Sequence, residues 1–401
     1  MKNAYIVDSI RTPIGNFKGT LAAVRPDDMA AMTIAELVKR NPSLDTKNIG
    51  DVILGNANGA GEENRNVARM SALLAGLPHS VPGETVNRLC SSGLASAIHA
   101  SRSLILSDSN VMIAGGVESM SRAPYVVSKS AQPWGNSAEM FDSAFGWRFV
   151  NPKMHEMYGT DGMGNTAENL VEMYGISRED QDKFAYWSQS KAAKATQNGR
   201  LAKEIMPVEI PQRKKDPIIF SQDEFIRPGT SMEGLAGLRP AFKKDGSVTA
   251  GNSSGLNDGA CSVLLANEDG LEQNGLTAKA KIISSTVVGV EPRIMGIGPV
   301  EASNQALAKA GLTFADLDII ELNEAFAAQA LACTRAWGIA DDDARLNPNG
   351  GAIAIGHPLG MTGARLLGTA AYELVEQGKE FALVTMCIGV GQGYAAVIQR
   401  V

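Results

Sequence analysis

Residues 51–56 read DVILGN and residues 318–323 read DIIELN, and the continuation of each of these two short copies decides the fold. In both, an apolar run of strand length ends at an asparagine, and a chemically distinctive residue comes at one fixed distance beyond it. Cys90 lies 34 positions beyond Asn56, and His357 lies 34 beyond Asn323. Serine and glycine after Cys90, and threonine and glycine after His357, then open stretches of small residues with helical spacing. Duplication of one α/β unit accounts for all of these matches together. If the halves pack as pseudo-twofold mates, Cys90 and His357 occupy equivalent positions and can face each other.

Working outward, residues 4–8 read as a buried strand and 26–39 as a helix. Residues 51–54 and 111–114 read as strands, the second closing at Gly115-Gly116, with a helix over 94–106 between them. This alternation predicts a layered α/β domain with a largely parallel sheet. From about residue 120 to 245 the pattern weakens into an inserted lobe, too long for a plain loop. Residues 177–198 are the exception, a helix announced by Ser177 with Asp180. Strands resume at 262–266 and 281–290. The uncharged run 381–398 is long enough for a membrane span, but Gly389, Gly391, Gln392 and Gly393 divide it into strand, turn and strand. The expected division is an N-terminal half (1–119), an inserted lobe (120–250), a return to the first half (251–272) and a C-terminal half (273–401).

The chain of 401 residues can bury a large core. Its net charge of −6, with no long run of either sign, points away from nucleic acid. Asp8 and Arg11 interrupt the start too early for a signal-peptide apolar region, so a cytoplasmic protein is expected. The four cysteines have no metal-ligand spacing, and disulfides are not expected in that compartment. Cys261 in GACSVLLA and Cys333 in AQALACTRAW read as small buried hydrophobes.

Three reactive side chains sit among residues too small to crowd a substrate. They are Cys90 in VNRLCSSGLASAIHA, His357 in NPNGGAIAIGHPLGMTGARL and Cys387 in VTMCIGVGQGY. Each has two readings. A histidine in an apolar segment is either a base or a hydrogen-bonded core residue, and a cysteine either a nucleophile or a small hydrophobe. Asn323 is either catalytic or the cap of the helix after it.

NRLCSSG, GGVESMSRAPY, AGNSSGLNDGA, NEAFAAQ, GGAIAIGHPLG and CIGVGQG, in that order over nearly the whole chain, resemble the thiolases. The resemblance implies a thiolase fold of two duplicated α/β halves, layered α-β-α-β-α, with the inserted lobe binding coenzyme A. It also implies CoA-dependent cleavage of a 3-oxoacyl-CoA to acetyl-CoA and a shortened acyl-CoA, through an acyl-cysteine and with no tightly bound cofactor or metal. Carried onto this sequence, Cys90 is the nucleophile, its thiolate favoured by the helix after it. His357 takes its proton, and Cys387 is the second acid/base. One oxyanion site is His357 with a water held by Asn323; the other is the backbone N–H groups of Cys90 and Gly389. Arg227 is assigned to the nucleotide end of CoA, with Ala250, Ser254, Ala325, Phe326, Met163 and Met295 along the arm and acyl group.

GWRFVNP, IADDDARLNPNG and GVGQG narrow the resemblance to thiolases of 3-oxoadipyl-CoA, which would yield succinyl-CoA. Gly162, where short-chain biosynthetic relatives often carry histidine, implies a different acyl pocket. Arg148, or less favourably Lys153 or His155, is the candidate partner for a distal carboxylate. The alternatives are an acetoacetyl-CoA or broad β-oxidation thiolase, and a non-enzymatic acyl-CoA or lipid carrier. The expected partners are CoA thioesters and further copies of the chain, as a homodimer or homotetramer, with neither nucleic acid nor membrane.

Overall fold

In a computed structural model, residues 2–401 are described. The framework strands are β1 (Tyr5–Arg11), β2 (Ile49–Gly55), β3 (Gly83–Val86), β4 (Val111–Ser119), β5 (Asn257–Ala266), β6 (Ala280–Gly289), β7 (Ile319–Leu322), β8 (Phe381–Ile388) and β9 (Gln392–Arg400). Their order across the sheet is β7-β8-β9-β6-β1-β5-β4-β2-β3. Outward from the β1–β6 junction, each half repeats one order: β1-β5-β4-β2 on one side and β6-β9-β8-β7 on the other. The junction itself holds only the pairs Tyr5↔Lys281 and Ile6↔Ala280, so the two half-sheets meet along a short seam.

The longer helices are α1 (Pro26–Arg40), α2 (Ser92–Leu106), α3 (Met163–Tyr174), α4 (Arg178–Gln197), α5 (Gly298–Ala310), α6 (Ala327–Trp337) and α7 (Leu359–Glu376). Strand side chains alternate between faces, and here alternate residues join different cores. Ile53 packs in the core between the half-sheets, whereas Val52 and Leu54 pack in the outer core beside α1. In β8, Ala382 and Val384 face the middle and Leu383 faces the outer core beside α5 and α6. The middle core is filled by α2 and α7, which contact each other and the sheet. The five layers are thus α1, a half-sheet, α2 with α7, a half-sheet, and α5 with α6.

The sheet is mixed rather than largely parallel. Pairing is parallel where a middle-layer helix makes the crossover, at β2–β4 and β7–β8, and also at β2–β3. The pairs β1–β5, β1–β6, β4–β5, β6–β9 and β8–β9 are antiparallel. The turn between β8 and β9 is too short for a crossover, so those strands can only run antiparallel. Gly115 and Gly116 do not end β4, which continues to Ser119. Gly116 is needed where helix meets strand, since any side chain there would strike the carbonyl of Gly360 in α7, whereas one at Gly115 would strike the carbonyl of Cys261 in the neighbouring β5.

The two copies that prompted the duplication differ by one residue in pleat. Ile53 faces the middle layer, while its letter-for-letter counterpart Ile320 faces the outer core, and Val52 and Ile319 are exchanged in the same way. A shift of one residue exchanges the faces of a strand. The halves correspond, but the letters are out of step. Helix α4 begins as expected, with the Ser177 hydroxyl accepting from Asp180 N at 3.0 Å. Among the described residues no helix is long and apolar enough to cross a membrane.

Candidate active site

Three loop or strand ends converge where the middle layer opens. Cys90 sits in the turn Leu89–Ser91 just before α2, and that turn packs against both α7 and β8. His357 lies two residues before α7, as Cys90 lies two before α2. Cys387 is the penultimate residue of β8. The turn around Cys90 is held in an uncommon shape, with Leu89 at φ +48°. Close helix packing brings these ends together, because a side chain at Gly93 would begin 2.6 Å from the Gly360 carbonyl oxygen.

His357 is buried, and its backbone N, Nδ1 and Nε2 each have a partner. Its backbone N–H donates to Asn257 Oδ1 at 2.9 Å, and Nδ1 lies 2.7 Å from Thr362 Oγ1. The Thr362 hydroxyl donates to the Pro358 carbonyl at 2.8 Å, which leaves it as acceptor toward the ring. Nδ1 therefore carries the proton and Nε2 keeps its lone pair. That lone pair faces Asn323 Nδ2 at 3.3 Å. Burial and, after it, the Arg365 cation push the histidine down to about 3, so the ring rests neutral with its lone pair on Nε2. Asn323 does not cap the next helix, whose first residue is Ala327 after Phe326.

Cys90 differs from expectation in its resting charge. Burial raises its thiol above the usual range, and the charge of Glu118 raises it further. The N–H groups of Gly389 and of Cys90 itself, hydrogen-bonded to the sulfur, pull it back without winning. Desolvation outweighs the helix end here, so the thiol needs a base to ionise. Cys387 is buried and lies well above the ordinary thiol value, first through burial and then through the charges of Cys90 and Cys333. Cys261 and Cys333 are buried and pushed up to about 12, in keeping with structural roles.

Most of the arm-lining candidates also come together. Met295, Ala325, Phe326 and Cys387 share one small apolar cluster. Ser254 N donates to the Ala325 carbonyl at 2.9 Å and Ser253 bridges to Phe326, which brings the segment after Ala250 alongside them. Met163 Sδ would lie 3.8 Å from a side chain at Gly389. Arg227 is exposed, with its guanidinium over Phe225. Arg148 reaches Asn58 Oδ1 at 3.2 Å and the Ser143 carbonyl at 3.5 Å, and no carboxylate pairs with it among the described residues. Its neighbour Trp147 donates to the Asp161 carbonyl, two residues before Met163. His155 is engaged with Thr160 at 2.7 Å.

Reading the sequence missed Thr362 and Asn257, which hold His357, and Glu118, which touches both flanks of the site. Each lies inside a stretch already singled out, but nothing in the letters marks it as a hydrogen-bond partner. Among the described residues no group of three or more His, Cys, Asp or Glu is arranged to hold a metal ion.

A cysteine in the turn before one middle-layer helix, packed against the helix that follows a buried neutral histidine and against the strand of a second thiol, fits an enzyme that transfers acyl groups through sulfur. Family models for the thiolase N-terminal domain and the thiolase C-terminal domain match residues 4–269 and 276–400. The chain belongs to the thiolase family and is an acyltransferase. It is 58% identical to a beta-ketoadipyl-CoA thiolase of Acinetobacter baylyi, with each chain covered in full. It is 54% identical, again over both full lengths, to the 3-oxoadipyl-CoA/3-oxo-5,6-dehydrosuberyl-CoA thiolase of Escherichia coli. The crystal structure of the Bacillus anthracis acetyl-CoA acetyltransferase superposes with a TM-score of 0.92 at 40% identity, covering 100% of this chain and 99% of that one.

Proposed function

We propose that this thiolase cleaves 3-oxoadipyl-CoA with CoA to give acetyl-CoA and succinyl-CoA. The observation that carries the mechanism is the packing of the Cys90 turn against the strand of Cys387 and the helix after His357. In this reading His357 Nε2 takes the Cys90 proton, and the thiolate adds to the 3-oxo carbon. The bond between C2 and C3 then breaks, and Cys387 protonates the departing acetyl-CoA enolate. The proton taken by His357 replaces the one Cys387 gave up, and the acyl group left on Cys90 then passes to the sulfur of CoA, whose proton His357 accepts and returns to the released Cys90 sulfur. The negative oxygen of each addition step needs preplaced donors, for which the candidates are the N–H groups of Cys90 and Gly389 at one site and His357 with Asn323 at the other.

The choice of substrate is supported by the names of the full-length relatives and by Arg148, a half-buried cation that meets only neutral acceptors. We assign Arg148 to the distal carboxylate, Arg227 to the nucleotide end of CoA, and the inserted lobe to CoA binding. Ala250, Ser254, Ala325, Phe326, Met163 and Met295 are assigned to the pantetheine arm and acyl group. The protein is proposed to act in the cytoplasm as a homo-oligomer. The exposed Tyr125, Val127 and Met140 on a hairpin of the lobe offer an apolar face for self-association.

Thiolysis of 3-oxoadipyl-CoA, acetoacetyl-CoA and a long-chain 3-oxoacyl-CoA, compared by kcat/KM, tests the assignment. A clear preference for the dicarboxylate is expected, reduced about tenfold in Arg148→Met with acetoacetyl-CoA little affected. An equal or better rate with an uncharged substrate would replace this reading with the acetoacetyl-CoA or β-oxidation alternative.

A further inference from the structure

Glu118 is a buried carboxylate at the end of β4, with no part in the chemistry above. Its Oε2 accepts from Gly360 N at 2.8 Å and from Ala57 N at 2.9 Å, and its Oε1 accepts from Asn58 N at 3.1 Å. Gly360 lies three residues after His357, in the first turn of α7. Ala57 leads to the other side of the site, because its carbonyl accepts from Asn87 Nδ2 at 2.9 Å and Asn87 Oδ1 accepts from Leu89 N at 2.9 Å. Leu89 is the residue before Cys90, held at positive φ. One carboxylate thus closes a chain of hydrogen bonds from the helix behind His357 to the turn that presents Cys90. The contact is too close for substitutes at Gly360, where a side chain would begin 2.7 Å from the Gly55 carbonyl oxygen.

We propose that Glu118 is a positioning residue, whose carboxylate fixes the separation of Cys90 and His357 across the two halves. The inference rests on Cys90 and His357 acting as assigned above. This placement has a side effect. The Glu118 anion opposes the Cys90 thiolate, and Glu63 in turn opposes ionisation of Glu118 itself, whose carboxyl burial pushes up to about 7. Glutamine can keep its carbonyl on the Gly360 and Ala57 donors while losing the bond to Asn58 and the charge. Alanine removes the tie altogether.

The test compares Glu118→Ala and Glu118→Gln with wild type in the full-length enzyme. Thiolysis kinetics, thermal unfolding and the pH profile of Cys90 alkylation by iodoacetamide are measured on each. In Glu118→Ala, kcat should fall at least about tenfold while KM for CoA stays within about twofold. Glu118→Gln should recover kcat to within about threefold, with its alkylation midpoint moved to lower pH. Full activity in Glu118→Ala would overturn the proposal, as would equal losses in both variants with unchanged alkylation profiles. If Glu118→Ala does not fold, Glu118→Gln decides alone: retained kcat with the lowered midpoint supports the role, and lost kcat with an unmoved midpoint removes it. Wild-type Cys90 that shows no acylation by substrate would instead sink the underlying assignment, leaving the Glu118 comparison recognisably a separate failure.

Discussion

The N-terminal half presents Cys90 and the C-terminal half presents His357 at matching places, two residues ahead of a middle-layer helix, yet they surround these residues differently. Cys90 is only partly buried, in a turn whose Leu89 is held at positive φ. His357 is buried and its backbone N, Nδ1 and Nε2 each have a side-chain partner. A nucleophile has to reach a substrate and tolerate changing partners during the reaction. A base has to keep one tautomer populated, with the lone pair on the nitrogen that receives the proton. The same scaffold therefore offers access on one side and fixation on the other.

The largest effect should come from removing the accessible partner. Cys90→Ser is expected to lower kcat by about 10³-fold or more with CoA affinity preserved, because a hydroxyl beside a neutral imidazole is a far poorer nucleophile than a thiol. Loss of covalent acylation in a mass measurement should accompany it. Should the variant keep near-normal turnover, the asymmetry between the halves would lose its chemical meaning. Next comes the fixed partner: His357→Ala should cost about 10² to 10⁴ in kcat. It should also slow Cys90 alkylation near neutral pH, since the thiol would lose its proton acceptor. Unchanged alkylation alongside lost turnover would restrict His357 to a later step.

These contrasts were only partly legible in the sequence. The apolar runs with 3.6- and 2-residue periods located the strands and helices, and the residues flanking Cys90, His357 and Cys387 marked the site. The alignment of DVILGN with DIIELN led to the duplication but missed the pleat, because letters repeat without recording which face a residue occupies. Pairing direction was also missed, since strand–helix alternation does not reveal that β5 and β9 return antiparallel. The partners of His357 were hidden for another reason. Thr362 is five positions away and Asn257 is 100 away, while Glu118 reaches Gly360 across 242 positions. Such contacts exist only after folding.

The finest test of fixation is Thr362. Its hydroxyl is committed as donor to Pro358, so its lone pair is what holds the Nδ1 proton of His357. Thr362→Val keeps the shape but removes that acceptor, stranding a buried N–H and freeing the ring to move its proton to Nε2. The base would then be blocked at the nitrogen that must receive a proton. The loss should be about 10-fold, below the 10² to 10⁴ expected for removing a general base altogether, because Asn323 Nδ2 still favours an Nε2 lone pair. Thr362→Ser, which retains the hydroxyl, should stay within about twofold of wild type in kcat. The decisive comparison is Ser against Val. Equal rates in both would mean that packing, not the hydrogen bond, fixes the imidazole, and the C-terminal half would owe its rigidity to shape alone.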